Sequence, residues 1–238
     1  MFVRLYHGPQ NATLVLAGDL PTDVREQVER YFGRRQGGKR PPMPEFNLVT
    51  QSGERRVVRR SEFASNPALI VTWPSAPIYM AGDAEADVLG RVLEARLSTL
   101  AEQLAPGEIV WHDAHQYSHV GSSEFVVHIE GSSSSAPDRL LEVLDAALEE
   151  LRQQPIPGEE IDYARRIMQL DIFHGLQSLE NRAERMHTYV GAGKPPNWLE
   201  QDLARYDRVT AGTVARVLDT LVPELRIVLL TYPAEEPS

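Results

Sequence analysis

The chain has 238 residues, 42% of them hydrophobic and 24% charged, which is the composition of an ordinary globular protein. This length suffices for one large domain, or for one domain with a fragment of another. Its formal net charge of −10 argues against nucleic acid and anionic membrane surfaces as partners, because nothing would offset the repulsion from phosphate groups. The absence of cysteine excludes disulfides, a thiolate nucleophile and a cysteine-based zinc site.

A strand followed by a helix is predicted near the start of the chain. Residues 13–17 are apolar or β-branched, as a buried strand requires, and the Gly-Asp pair after them ends that strand. Pro21 then opens a helix whose apolar side chains repeat at helical spacing up to Gly33. Residues 1–33 therefore form one β-α unit in this interpretation.

Residues 34–46 are predicted to be a linker. The segment is rich in glycine and proline, which do not continue a helix, and its basic side chains keep it solvated. A domain boundary is therefore expected between residues 1–33 and residues 47–238.

Beyond the linker the predicted order is strands, a helix, strands, and then mostly helices before one last strand. A stripe of apolar residues at helical spacing marks the helix over 83–104. This order indicates an α+β fold, a two-layer sandwich with helices on one face of a mainly antiparallel sheet. The other predicted elements are strands over 55–60, 68–73, 109–120, 124–130 and 225–231, and helices from 137, from 159 to about 190 with a kink at 174–175, over 198–206 and over 211–221.

No catalytic residue is predicted from these elements. The Gly-x-Ser-x-Gly nucleophile motif does not occur in the sequence. The neighbouring glutamates at 149–150 and 159–160 point in different directions on a helix and do not form an acid–base pair. Residues 191–194 resemble part of a phosphate-binding loop, but no strand precedes them and Pro195 replaces the Ser or Thr, so we interpret them as a helix end.

Several segments resemble the insulinase/pitrilysin family of zinc metallopeptidases. Residues 11–19 read NATLVLAGD and residues 31–33 read YFG, which is close to the family's NATLVVxGD … YFG segment. Residues 66–74 (NPALIVTWP) and 88–97 (VLGRVLEARL) resemble a strand and a helix of the family, and residues 179–214 resemble its closing segment. The resemblance covers nearly the whole chain and implies the α+β half-domain fold of these metallopeptidases.

The catalytic residues of the family have no counterpart in this sequence. The zinc motif His-x-x-Glu-His does not occur around any of the seven histidines. Some second halves of these proteases supply an Arg and a Tyr that hold the substrate carbonyl. Here the matching region has Ala101, Glu102 and Gln103 near the first position and Val110 or Trp111 near the second. No residue of this chain is therefore predicted to be catalytic or to bind a metal.

The resemblance implies that residues 1–33 are the terminal strand–helix unit of a preceding domain and that residues 47–238 are a C-terminal, non-catalytic peptidase domain. Such a domain forms part of a chamber that encloses a peptide. No cofactor is expected in this chain, and zinc is expected in the missing N-terminal part of the parent protein, where it activates the attacking water. The expected partners are a zinc-bearing N-terminal domain or partner subunit of the family and a peptide substrate. The alternative is a catalytically inactive structural or partner subunit of the same family.

His115, Tyr117 and His119 are the predicted substrate-facing residues. If residues 109–120 form a strand, these three side chains point to one face and His112 points to the other. On a helix, His112, His115 and His119 would share a face and could bind zinc. A chamber lining, an ordinary solvated face and an unrelated metal-binding module are therefore the alternatives that the sequence leaves open.

Two further expectations concern assembly and location. A strand over 13–17 that has lost its original neighbours would have an unpaired edge, so we expect it to fold back on this chain or to pair in a homodimer. No apolar run approaches the roughly 20 residues of a membrane span. We therefore expect a soluble protein of the cytoplasm or the periplasm, and the sequence does not decide between these compartments.

Overall fold

The structure is a computed structural model, and it describes residues 2–35, 37–39, 41–42 and 52–234. The predicted linker over 34–46 lies partly outside the described residues. The chain divides into two compact units: the first comprises Met1–Phe46 and Leu170–Gln201, and the second comprises Asn47–Gln169 and Asp202–Ser238.

Five strands of the second unit form one sheet: β1 (Arg55–Ser61), β2 (Ala68–Ser75), β3 (Ile109–Tyr117), β4 (Ser123–Gly131) and β5 (Ile227–Pro233). Their order across the sheet is β1-β5-β2-β4-β3. β1 runs parallel to β5, and the other neighbouring strands are antiparallel. The prediction of a mainly antiparallel sheet is therefore confirmed.

The helices of the described residues are α1 (Phe2–Tyr6), α2 (Val24–Phe32), α3 (Asp83–Leu104), α4 (Pro137–Gln153), α5 (Gly158–Gly175), α6 (Leu179–Gly191), α7 (Leu199–Asp207) and α8 (Ala211–Leu218). α3 has the predicted bounds. The long helical region predicted up to about residue 190 is two helices, because the chain turns after Gly175 and Ser178 caps the start of α6. Within the described part of the chain, no helix has both the length and the apolar composition for crossing a membrane.

The core of the second unit lies between the sheet and two helices. α3 packs on β3, and α4 packs on β2, β4 and β5. Alternate residues of β2 point into this layer, where Leu69, Val71 and Trp73 are at most 1% exposed, as the two-residue period of a strand requires. Leu140 and Leu144 lie one helical turn apart on α4 and are fully buried. The predicted two-layer arrangement, with helices on one face of the sheet, is confirmed.

Gly90 allows α3 to lie close to β3. A Cβ atom at this position would stand 2.6 Å from the backbone oxygen of Ala114, which is far inside van der Waals contact. Because the obstructing atom belongs to the backbone of a paired strand, a side chain here would have to displace the helix or the strand. Glycine therefore sets the distance between the two layers.

The predicted strand over residues 13–17 does not form in the first unit. Residues 12–17 belong to no helix or strand, and the side chains of Leu14 and Leu16 are 52% and 43% exposed. A strand needs a neighbour for its backbone N–H and C=O groups, and the described residues of this unit include no other strand. The strand prediction is wrong for this reason, whereas the helix predicted after it is present as α2.

Candidate functional site

The residues of β3 alternate between two surfaces of the sheet. Even-numbered residues face α3, as the 3.2 Å separation between Nε2 of His112 and Oγ of Ser98 on that helix indicates. Odd-numbered residues from Trp111 to Tyr117 point to the opposite surface. We call this surface, which lies opposite α3 and α4, the open face.

His115 and Tyr117 both lie on the open face, as predicted, and their rings are in contact. The ring centroids are 4.4 Å apart and the ring planes are nearly perpendicular, the edge-to-face geometry that aromatic pairs favour. Nδ1 of His115 also contacts a carboxylate oxygen of Asp113, the next residue toward the start of β3 on the same face. The structure therefore brings together two of the three predicted side chains and adds a carboxylate to them.

His119 lies outside this group because β3 is shorter than predicted and ends at Tyr117. The backbone of His119 closes the turn into β4: its N–H donates to Oγ of Ser123 at 3.0 Å, and its carbonyl accepts from the N–H of Ile78 at 3.0 Å. Gly121 in this turn has φ of 95°, a conformation that glycine adopts without strain. The prediction that His119 shares a strand face with His115 is wrong, because the strand ends before it.

The neighbouring strand β4 adds acidic and aromatic partners to the open face. Register pairs Trp111 with Glu130, and Tyr117 with Glu124. The rings of Trp111 and His128 make an edge contact, with centroids 4.9 Å apart. Sequence reasoning missed these partners, although the alternation of β4 together with the hairpin register would have placed them on the same face.

A buried ionic cluster lies at the start of α3. Asp83 and Asp202 are each 1% exposed, and the guanidinium of Arg205 joins them. Its Nη1 donates to Oδ2 of Asp83 at 2.6 Å, and its Nη2 donates to Oδ1 of Asp202 at 2.6 Å. Such charge-assisted bonds compensate the loss of hydration of both carboxylates. The cluster therefore fastens the end of α7 to the start of α3.

The side chains at the end of β3 join the same cluster. The amide of Gln116 donates to Oδ1 of Asp83 at 2.6 Å, and the hydroxyl of Ser118 donates to the same oxygen at 2.8 Å. The backbone N–H of Tyr79 donates to Oδ2 of Asp83 at 2.8 Å. Asp83 thus receives hydrogen bonds from three segments of the second unit, which is a structural rather than a catalytic arrangement.

Asp87 lies one turn along α3 from Asp83 and accepts a hydrogen bond from the hydroxyl of Tyr206 at 2.7 Å. Burial, with a further contribution from the charge of Asp83, raises the pKa of Asp87 to about 7. Burial and the neighbouring Asp87 also raise the pKa of the Tyr206 phenol. Asp87 therefore loses its proton near neutral pH rather than in the acidic range of an ordinary aspartate.

Comparison with known proteins identifies the family. Residues 2–168 match the family model described as the peptidase M16 inactive domain. The chain belongs to this family. The resemblance to insulinase-like and pitrilysin-type proteases that the sequence motifs suggested is thereby confirmed.

Solved structures share the fold of this M16 domain at low sequence identity. A protease from Helicobacter pylori superposes with a TM-score of 0.84 at 17% identity, over 98% of this chain and 58% of its own. The first half of the periplasmic protease PqqL from Escherichia coli gives 0.77 at 12% identity, over 97% and 53%. The ferredoxin protease FusC, solved in complex with Arabidopsis ferredoxin, gives 0.64 at 18% identity, over 92% and 24%.

The chain spans less than two thirds of each of these structures. Similarity at such identity shows a common fold for the α+β domain. A comparison with curated protein sequences finds no match.

The histidines of this M16 domain do not fit the zinc site of the proteases in its family. His112 faces α3, whereas His115 lies on the open face and His119 lies in the turn after it. Among the described residues, no three His, Cys, Asp or Glu side chains are grouped so that they could hold a metal ion. No step of a zinc-dependent reaction is assigned to this chain.

Proposed function

We propose that this chain is a non-catalytic domain of an M16, insulinase-like zinc endopeptidase and that it forms part of the wall enclosing a peptide substrate. The match to the M16 inactive domain carries this proposal. Two features support it: the sequence lacks His-x-x-Glu-His, and the sheet presents a polar and aromatic surface opposite α3 and α4. In the parent protein, zinc bound elsewhere would supply the activated water.

The proposed domain organisation follows from the same family membership. Residues 1–33 would be the terminal unit of a preceding domain, in which residues 13–17 would become a strand only when they pair with that domain. Residues 34–46 would be a linker, and residues 47–238 the non-catalytic domain. Two observations support this organisation, because both groups would find neighbours in a preceding domain: residues 12–17 belong to no helix or strand, and the rings of Tyr31 and Phe32 on α2 are exposed.

The proposed partners are a zinc-bearing domain or subunit of the same family and an unfolded peptide. The first half of PqqL has the same fold, and the ferredoxin protease FusC was solved in complex with ferredoxin. One of these relatives is periplasmic, and we propose either the periplasm or the cytoplasm for this chain. A homodimer is the assembly that would follow if residues 13–17 pair between two copies.

Copurification with the zinc-bearing protein of the same organism tests this proposal. We expect the full chain to form a stable complex with the domain that carries His-x-x-Glu-His. Cleavage of a quenched fluorescent peptide of uncharged residues should rise in the complex, and the zinc should remain with the partner. A Glu→Gln change in the partner's motif is the control that should abolish cleavage.

Two results of this experiment would change the proposed function. Stoichiometric zinc and peptide cleavage by the purified chain alone would overturn it. A stable complex with a family member that lacks the motif, without cleavage, would instead favour the inactive structural or partner subunit.

A further inference from the structure

The open face carries the same three-residue arrangement at both ends of β3. At one end, Trp111 stands beside Glu130 of β4, and the ring of His128 packs edge-on against the indole. At the other end, Tyr117 stands beside Glu124, and the ring of His115 packs edge-on against the phenol. Each arrangement therefore consists of an aromatic ring, a carboxylate on the neighbouring strand and a histidine that fixes the ring.

Both aromatic rings are available to a ligand. Trp111 is 48% exposed and Tyr117 is 53% exposed. The contact with a histidine restricts the orientation of each ring before a ligand arrives, which lowers the entropic cost of binding. Large, half-exposed and fixed aromatic side chains are the residues that most often anchor a partner.

The charges beside the rings select a cation. Glu124 is exposed beside Tyr117, and Glu130, which accepts a hydrogen bond from Asn66 at 2.8 Å through one of its oxygens, lies beside Trp111. An ammonium or guanidinium group over an aromatic face gains a cation–π attraction, and an adjacent carboxylate adds to it. Burial lowers the pKa of His128, which favours its neutral form beside such a cation. The overall net charge of −10 also attracts cationic chains.

The two arrangements match the geometry of an extended peptide. Trp111 and Tyr117 are six residues apart on one strand, which corresponds to about 20 Å at about 3.3 Å per residue. In an extended peptide lying along β3, two residues that are also six positions apart point to the same side, because six is an even number. We propose that the open face binds an unfolded peptide that carries two basic side chains six residues apart, one held by Trp111 and Glu130 and the other by Tyr117 and Glu124. This inference rests on the proposed function, since it names the class of peptide that the wall would favour.

Fluorescence anisotropy with the full chain tests this inference. The probe is a fluorescein-labelled peptide of about 11 residues, rich in Ser, Thr and Gln, with two lysines six residues apart. Comparison peptides carry glutamate at the same two positions, or lysines five residues apart, which point to opposite sides of an extended chain. We expect the first peptide to bind most tightly and its affinity to fall as salt is raised.

Variants of the protein identify the face that binds. Trp111→Ala and Tyr117→Ala should each weaken binding about threefold to fivefold, which is the size of an exposed cation–π contact. Glu124→Gln should weaken binding and reduce its salt dependence, and because Glu124 is exposed, this variant keeps the test valid if Trp111→Ala fails to fold. Tyr163→Ala is the matched control, since Tyr163 is an exposed aromatic residue on α5, and it should bind like the wild type.

The inference is overturned if the glutamate peptide or the five-residue spacing binds equally well, or if the open-face variants bind like the wild type. These outcomes leave the proposed function standing, because its own test uses an uncharged peptide and the zinc-bearing partner. If that complex does not form but the lysine peptide still binds at Trp111 and Tyr117, the open face binds peptides as inferred, and the proposed role in a zinc protease is overturned.

Discussion

Arg205 and Asp83 are 122 residues apart in sequence, and Nη1 of Arg205 lies 2.6 Å from Oδ2 of Asp83. The bond joins the end of α7 to the first residue of α3, and Asp83 and Asp202, the two carboxylates that share this guanidinium, are buried. The stability of the second unit should therefore depend on this one arginine more than on any ion pair at the surface.

Removing the guanidinium should destabilise the second unit strongly. Arg205→Ala leaves Asp83 and Asp202 buried without their shared cation, and we expect a loss of about 3–5 kcal/mol in the free energy of unfolding, measured by urea denaturation. Arg91→Ala, which breaks a surface pair with Glu94 on the same helix, should cost less than about 1 kcal/mol. Equal losses in the two variants would contradict a special role for the buried cluster.

Asp87 should make stability depend on pH. Its pKa is raised to about 7 in the folded chain and is about 3.9 when unfolded. The neutral form therefore contributes its stability in full below about pH 4, and that contribution is lost as pH rises toward about 7. The groups that face Asp87 are Asp83 and Asp202, which favour its neutral form, and Arg205 and Tyr206, which favour its charged form.

Denaturation at several pH values, with Asp87→Asn as the control, measures this effect. The wild type should lose stability relative to Asp87→Asn between about pH 4 and 7, by up to about 1.4 kcal/mol for each pH unit, and the difference should level off above that range. A difference that does not change with pH would show that Asp87 titrates normally.

The sequence predicted the helices and strands in which apolar residues recur at the regular spacing of that element. The buried residues Leu69, Val71 and Trp73 alternate along β2, and the apolar residues of α3 recur every three or four positions. Each pattern therefore indicates both the type of element and the face that it buries. The sheet, the helices on one face and the placement of His115 and Tyr117 followed from such patterns.

The buried cluster could not be predicted in this way. Asp83 and Arg205 are ordinary polar residues in their local sequence, and only the packing of α7 near α3 makes them partners. The error over residues 13–17 has the opposite cause: the local pattern there is that of a strand, but pairing depends on a neighbour that the described residues do not provide. Long-range contacts decided both outcomes.

Gly90→Ala should separate α3 from β3. The added Cβ would stand 2.6 Å from the backbone oxygen of Ala114, and because neither backbone can yield without loss of packing, we expect a cost of about 1–3 kcal/mol in the free energy of unfolding. Gly158→Ala at the start of α5 is the control, since its Cβ would meet no atom within 4 Å. This control should be neutral or slightly stabilising, and an equal loss in both variants would contradict the steric explanation.

Residues 13–17 should pair with a second copy of the chain when no preceding domain is present. The segment belongs to no helix or strand and exposes Leu14 and Leu16, and an unpaired apolar segment of this kind can form backbone hydrogen bonds with another chain. Light scattering coupled to size-exclusion chromatography should therefore find a dimer at micromolar concentration. Val15→Pro removes an N–H from the middle of the segment and should shift the dimer to monomer. Leu20→Pro, just beyond the segment, should leave the dimer intact. A monomeric wild type in which the amides of residues 13–17 exchange freely with solvent would contradict this pairing.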